Sequence, residues 1–305
     1  MIVSSKDFYA KAFHSDYAIG GFQAYNMEMV QGIIEASSDV SSPALVQSSC
    51  RGVRYAGAET LYQIARIWSD KYGIPVVLHL DHGDSIELCK SVIDAGFLSV
   101  MLDNTDLCFE EQAERTRAVV LYAHDHGATV EGEISLSGDY EERWRTTPED
   151  AKAFADYTGC DSLSICVGNS HALYGRGFPN DKTPHLDLVL LQKIHQTLPK
   201  MPLVLHSINA CQPVELSDRF DLSGGAKLRY HGFSREEMHA SFKLGVVKCN
   251  VGIDKLAMTV GVREYLHQNP SEEDPRKYLS SGKTVMKEAI RQQMTELFKS
   301  NGMLM

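Results

Sequence analysis

The chain has 305 residues, 43% of them hydrophobic, enough to bury one large α/β core or two smaller ones. A formal net charge of -10 excludes the basic groove that nucleic acid requires, and no apolar run approaches a membrane span. Seven cysteines without a CxxC pair suit reduced thiols, and Met1-Ile-Val-Ser-Ser-Lys-Asp lacks an apolar leader core, so the expected location is cytoplasmic. Short β-branched runs alternate with helical patterns from end to end. Strands are predicted at residues 18–25, 43–49, 75–81, 99–103, 128–134, 162–167, 202–207 and 246–251. Between them, 27–37, 59–71, 85–95 and 109–126 carry helical spacing. In the third of these, Ile86, Cys89, Val92 and Ile93 recur behind Ser85 as N-cap, and Gly96 follows as a stop. Two loops, the charge-rich 135–148 and the Gly/Pro/Asp-containing 176–185, exceed the α/β norm and read as lids. The tail Asn269-Pro-Ser-Glu-Glu-Asp-Pro-Arg-Lys-Tyr-Leu reads as a turn, followed by a terminal helix over 282–299. Eight strand–helix units, with no GxGxxG after the first strand, predict a (β/α)8 TIM barrel. It would form one domain over 1–305 with a C-terminal helical extension.

Functional groups of such a barrel sit at the C-terminal ends of its strands. Read in order, those ends carry Asn26, Ser49, Asp81 with His82, Asp103, Glu133, His171, His206 and Asn250. Three apolar runs close on histidine: Pro75-Val-Val-Leu-His-Leu-Asp81-His82, Ser162-Leu-Ser-Ile-Cys-Val-Gly-Asn-Ser-His171 and Pro202-Leu-Val-Leu-His206. Three converging imidazoles suit a Zn²⁺ ion that keeps one position open for substrate. Such an ion would polarise a carbonyl and stabilise an enediolate. Asp81 can exchange a proton with a substrate oxygen or, alternatively, orient a histidine. Asp103 and Glu133 suit a second metal or alternate ligands, or else pairing with barrel lysines. Glu141 and Glu142 can supply the carbon base on loop closure, or belong to a merely solvated acidic loop.

These residues match a known family. Over nearly its whole length the chain resembles the class II, zinc-dependent fructose-bisphosphate and tagatose-bisphosphate aldolases. The carrying segments are Phe22-Gln-Ala-Tyr-Asn26, Pro75-Val-Val-Leu-His-Leu-Asp-His-Gly83, Gly96-Phe-Leu-Ser-Val-Met-Leu-Asp103 and Val130-Glu-Gly-Glu-Ile134. Further along they are Gly168-Asn-Ser-His171, Pro202-Leu-Val-Leu-His206, Lys248-Cys-Asn250 and Asp274-Pro-Arg-Lys-Tyr-Leu279. The resemblance implies that His82, His171 and His206 are zinc ligands and that Asp81 is the acid/base at the aldehyde oxygen. It also implies an alternate metal position at Asp103 and Glu133, and substrate contacts from Asn26 and Ser49. A second metal or a monovalent cation is the further cofactor it allows, and a homo-oligomer, dimer or larger, is the assembly it implies.

The departures cluster at the family's phosphate subsite. Gly-Gly-Ser-Gly after the last zinc histidine is replaced by Ser207-Ile-Asn-Ala210, and the Gly after the second by Ala172. The last strand ends Asn250-Val-Gly-Ile253, without the usual Thr. Glycines let backbone N–H groups approach a phosphate closely, and side chains obstruct that approach. Ser207, Asn209, Asn250 and Gly252 are therefore the expected substrate contacts there, with Arg51, Arg176 and Lys255 able to bring charge from neighbouring loops. The leading expectation is a Zn²⁺-dependent aldolase acting on a sugar or sugar phosphate other than standard fructose 1,6-bisphosphate, with neither nucleic acid nor membrane as partner. The alternatives are a metal-dependent ketose isomerase or epimerase, and a catalytically lapsed paralogue serving as a binding or assembly subunit.

Overall fold

The computed structural model describes residues 1–104, 107–134, 145–169, 185–206 and 233–304. It opens with β1 (Ile2–Val3) and α1 (Lys6–Phe13), followed by β2 (Ile19–Gln23), α2 (Met27–Val40), β3 (Ala44–Ser49), α3 (Cys50–Ala56) and α4 (Ala58–Tyr72). Next come β4 (Val76–Gly83), α5 (Ile86–Asp94), β5 (Ser99–Leu102), α6 (Phe109–Asp125), β6 (Thr129–Glu133) and α7 (Pro148–Thr158). The last part holds β7 (Ser162–Ser164), α8 (Leu188–Thr197), β8 (Leu203–Leu205), α9 (Arg235–Phe242), β9 (Val246–Asn250), α10 (Ile253–Gln268) and α11 (Pro275–Gln292). Strands β2 to β9 pair in sequence order, every neighbour parallel, and β9 returns to β2. The sheet is closed, and helices surround it. All eight predicted strands are present, as (β/α)8 closure requires. Short β1 pairs with the start of β4, through Ile2↔Val76 and Val3↔Val77.

Side-chain alternation builds two separate apolar layers. On β4, Val76, Leu78 and Leu80 face outward into the main core beneath the helices. Val77 faces inward and joins Ile19, Leu45 and Val247 from other strand starts. Phe8, Tyr9 and Ala12 of α1, with Tyr17, cover that inner cluster, so α1 plugs the N-terminal end of the barrel. With that end sealed by apolar side chains, polar inward positions are left for the opposite end.

The helices start where their caps dictate. Asn26 accepts from the Met29 N–H at 3.0 Å, Ser85 from Leu88 at 3.2 Å and Thr147 from Asp150 at 3.1 Å. The C-terminal helix begins at Pro275 rather than at 282, because Asp274 caps the Arg276 N–H at 3.0 Å and Pro275 occupies the first helical turn. Proline there is compatible with a helix, whereas the sequence reading placed it within a turn. Lys283–Glu35 at 3.1 Å and Lys287–Asp39 at 2.8 Å tie α11 to α2. The predicted loop 176–185, except its last residue, and most of 135–148 lie outside the described residues.

Candidate active site

At the C-terminal end of the barrel, β4 departs from regular pleating. Its register against β5 runs Leu80↔Val100 and then Gly83↔Leu102, which inserts one extra residue. His82 takes up the irregularity with φ of 51°, a left-handed conformation costly for any residue but glycine. In a regular strand Asp81 and His82 would point to opposite faces. The bulge turns both toward the barrel mouth, the kind of re-aiming bulges perform beside active sites.

Asp81 is buried and held by carboxamides. Asn250 donates to Oδ1 at 2.8 Å, Gln47 donates to Oδ2 at 3.5 Å, and Gln23 donates to Oδ2 as well. Each amide spends its N–H₂ on the carboxylate. The carbonyl oxygens of Gln23, Gln47 and Asn250 are buried without a hydrogen-bond partner among the described residues. Two of them crowd Gly21, where a Cβ would lie 2.4 Å from Gln47 Oε1 and 2.8 Å from Asn250 Oδ1. Glycine is required at that place for the amides to reach Asp81. Burial works to raise the Asp81 pKa, but His82, Lys248 and His206 nearby pull it down to about 2.

His82 lies against three carboxylates. Its Nδ1 is 2.9 Å from Asp103 Oδ2 and 3.9 Å from Glu133 Oε2, and its Nε2 is 3.9 Å from Asp81 Oδ1. Burial favours the neutral ring, yet Asp81, Asp103 and Glu133 outweigh it and raise the His82 pKa to about 10. His206 packs edge-on to His82 with ring centroids 4.9 Å apart. Its Nδ1 is 3.3 Å from Glu133 Oε1, and its Nε2 is 2.7 Å from Glu131 Oε1. Burial lowers the His206 pKa, and the bonds to Glu131 and Glu133 more than reverse that.

Two sets of donor atoms result, each within 4.8 Å of one another: Asp81, His82 and His206, and His82, Asp103 and Glu133. Glu133 Oε2 is buried with no hydrogen-bond partner among the described residues, though it faces both sets. A buried carboxylate oxygen beside two imidazoles, without a hydrogen-bond partner among the described residues, is chemistry that a cation would satisfy. The donor chemistry therefore fits Zn²⁺.

The other expected residues divide. Asn26 caps α2, and Ser49 caps α3 by accepting from the Gly52 N–H at 3.3 Å, so both stand at the mouth with side-chain oxygens engaged. Gly252 precedes α10 as its N-cap residue. Ile253 is buried in the main core, so relative to Thr it removes a hydroxyl from the mouth without adding bulk there. Arg51 and Lys255 are exposed. Glu141, Glu142, His171, Ala172, Arg176, Ser207, Ile208 and Asn209 lie outside the described residues. Beside His171, Asn169 is buried and donates to the carbonyls of Ile165 at 3.0 Å and His206 at 3.2 Å, which ties the loop after β7 to the end of β8.

Several residues escaped the sequence reading: Gln23, Gln47, His79, Glu131, Lys248, Asp254 and the bidentate Arg54–Asp84 pair at 2.6 and 2.9 Å. A buried lysine–carboxylate pair is present at Glu131, whose Oε2 is 2.8 Å from Lys248 Nζ. Asp254, fully buried, accepts backbone N–H bonds from Gln23 and Lys255, each at 2.6 Å, and joins β2 to α10. Burial pushes its pKa up to about 7.

A closed parallel barrel with carboxylates and imidazoles gathered at the C-terminal strand ends is the architecture of a TIM-barrel enzyme. Sequence comparison narrows the class. The family described as "Fructose-bisphosphate aldolase class-II" matches residues 3–303. A fructose-bisphosphate aldolase of Thermus caldophilus is 36% identical over 312 residues, covering 99% of each chain. One from Helicobacter pylori is 32% identical over 311 residues, again with 99% of each covered. Among solved structures, the YdjI aldolase of Escherichia coli K12 superposes with a TM-score of 0.76 over 100% of both chains at 24% identity, a likeness of fold. The chain belongs to the class II fructose-bisphosphate aldolase family and is a lyase by that membership.

Proposed function

We propose that the protein is a Zn²⁺-dependent aldolase that makes or breaks a C–C bond beside a ketose-type carbonyl through an enediolate. The observation that carries this reading is the convergence of Asp81, His82 and His206 donor atoms within 4.8 Å at the barrel mouth, with a buried Glu133 oxygen beside them that has no hydrogen-bond partner among the described residues. His82 and His206, with His171 from the loop after β7, would hold the ion, and Asp103 and Glu133 would offer it an alternate position. When bound, Zn²⁺ supplies Lewis-acid polarisation of the carbonyl. Asp81 would move the proton at the aldehyde oxygen. Its Oδ1 faces His82, while the three carboxamides fix its orientation without charge of their own. Glu141 or Glu142 would act at the substrate carbon. Asn26, Ser49, Asn250 and Gly252, together with Ser207 and Asn209, would line the substrate site.

The curated relatives are named for fructose bisphosphate, but this chain lacks the glycines and the Thr of the family's phosphate subsite. We infer a ketose substrate whose C1 side carries a hydroxyl or a differently placed anion. Side-by-side kcat/KM values for fructose 1,6-bisphosphate and non-phosphorylated ketoses, on protein of measured zinc content, test both parts. Full activity after exhaustive chelation refutes the metal, and a clear preference for the bisphosphate refutes the substrate. Substrate proton exchange without cleavage identifies an isomerase instead.

A further inference from the structure

Below the metal-ligand residues, the barrel interior holds a charged layer that the proposed reaction does not use. It runs from Ser99 on β5 through His79 on β4 and Lys248 on β9 to Glu131 on β6, and ends on His206. His79 Nδ1 is 2.8 Å from Ser99 Oγ, His79 Nε2 is 3.3 Å from Lys248 Nζ, and Lys248 Nζ donates to Glu131 Oε2 at 2.8 Å. Glu131 Oε1 then meets His206 Nε2 at 2.7 Å. All five residues are buried, between 0% and 3% exposed.

Donor and acceptor roles in this chain are forced. An ionised carboxylate only accepts and an ammonium only donates. Lys248 must therefore donate to both Glu131 and His79 Nε2, and His79 Nδ1 carries the proton given to Ser99. At the other end, His206 Nε2 must carry a proton for Glu131 to accept. The His206 nitrogen on the far side of the ring, Nδ1, lies 3.3 Å from Glu133 Oε1, and His206 is a member of the donor set shared with Asp81 and His82.

We infer that Glu131 is a positioning residue for the metal site, engaging His206 through Nε2 so that Nδ1 is presented to the ion, while the contact with Lys248 holds Glu131 out of the ligand set. The inference rests on the zinc reading above and deepens it. A metal-bound imidazole ordinarily donates its second N–H to such a partner, and loss of the partner weakens metal binding. Lys248 is needed because Glu131 would otherwise have one buried carboxylate oxygen without its ammonium partner, free to turn toward a cation. A role as plain structural glue predicts a stability change alone. The positioning role also predicts a change in the metal site itself.

The test uses the full chain labelled with ¹⁵N-histidine, with His206→Ala to assign its signals, and chelator competition for zinc affinity. In the wild type, Nε2 of His206 stays protonated before and after Zn²⁺ is added, and only Nδ1 moves to a metal-coordinated shift. Coordination through Nε2 overturns the inference. Glu131→Gln lowers zinc affinity about tenfold to a hundredfold. Because that variant strands Lys248 and can fail to fold, Glu131→Gln with Lys248→Met keeps the layer neutral and must show the same loss. A folded double variant binding zinc as tightly as the wild type overturns the inference. If the wild type binds no zinc, the zinc reading has failed and the inference falls with it, a result distinct from variants that match a zinc-binding wild type.

Discussion

Two buried carboxylates a few strands apart in the same barrel are held in opposite ways. Asp81 is surrounded by the neutral amides of Gln23, Gln47 and Asn250, and its remaining open direction is toward His82. Glu131 is pinned between Lys248 at 2.8 Å and His206 at 2.7 Å, and both its oxygens are committed. Amide dipoles orient Asp81 without charge of their own, and the charge that favours its ionised form comes from His82, Lys248 and His206 around the cage. An ion-paired carboxylate gives up a buried Coulombic interaction on protonation and stays ionised. Burial works to raise the Glu131 pKa, but Lys248 and His206 hold it well below the carboxylate range. The neutral cage suits a group that works, and the charged one a group that supports.

The largest expected effect breaks the working side. Asp81→Asn preserves shape but cannot transfer the proton, so kcat should fall about 10²–10⁴-fold with zinc content unchanged. Steady-state rates and metal analysis on the same preparation check this. Normal turnover after zinc add-back would make Asp81 an orienting group and erase the contrast. On the supporting side, Lys248→Met leaves Glu131 buried without its ammonium partner and should cost about 3–5 kcal/mol of stability, read from chemical denaturation. Removing both charges, by adding Glu131→Gln to Lys248→Met, should cost less than removing the lysine alone.

A third carboxyl sharpens the comparison, because Asp254 has backbone N–H groups for partners and, among the described residues, no ion pair. Its folded pKa of about 7 lies above the unfolded value near 3.9. The folded chain therefore binds a proton there that the unfolded chain has released. The contribution to stability is full below pH of about 4 and is lost as pH rises through about 7. Asp254→Asn should flatten that part of the stability–pH curve, measured as denaturation midpoints across the range. An unchanged curve would mean that its two backbone bonds keep Asp254 ionised throughout.

The smallest effect tests the amide cage. Gln23→Leu removes one donor to Asp81 together with a buried carbonyl that has no partner, so the two terms offset and stability should change by only about 1 kcal/mol. A loss as large as that of Lys248→Met would show that the neutral cage carries as much energy as the ion pair.

Much of this site was legible from the chain. Apolar runs ending in Asp81-His82, Glu133, His206 and Asn250 marked strands whose last residues face a common mouth, and each of those strands is present. Half of the missed residues lie two positions before one that was read. His79 precedes Asp81, Glu131 precedes Glu133, Lys248 precedes Asn250 and Gln47 precedes Ser49. A period of two puts each pair on the same face, so strand alternation could have found them. Short β1 and the helices α1 and α3 carried too little periodicity to be read, and Pro275 was taken for a turn because a proline's tolerance depends on its position in the helix.

By itself, then, the sequence determined the strand count, the inward face of each strand and the residue types gathered at the open end, because these follow from local periodicity and the chain order of a parallel barrel. Tertiary structure decided which inward groups became partners. Nothing in the chain order says that Lys248 meets Glu131 across the barrel interior, or that Gly21 leaves room for two amides to reach Asp81. Nor does it say that one extra residue in β4 turns His82 to the same side as Asp81. Those outcomes depend on closure, register and a bulge, which only the assembled barrel fixes.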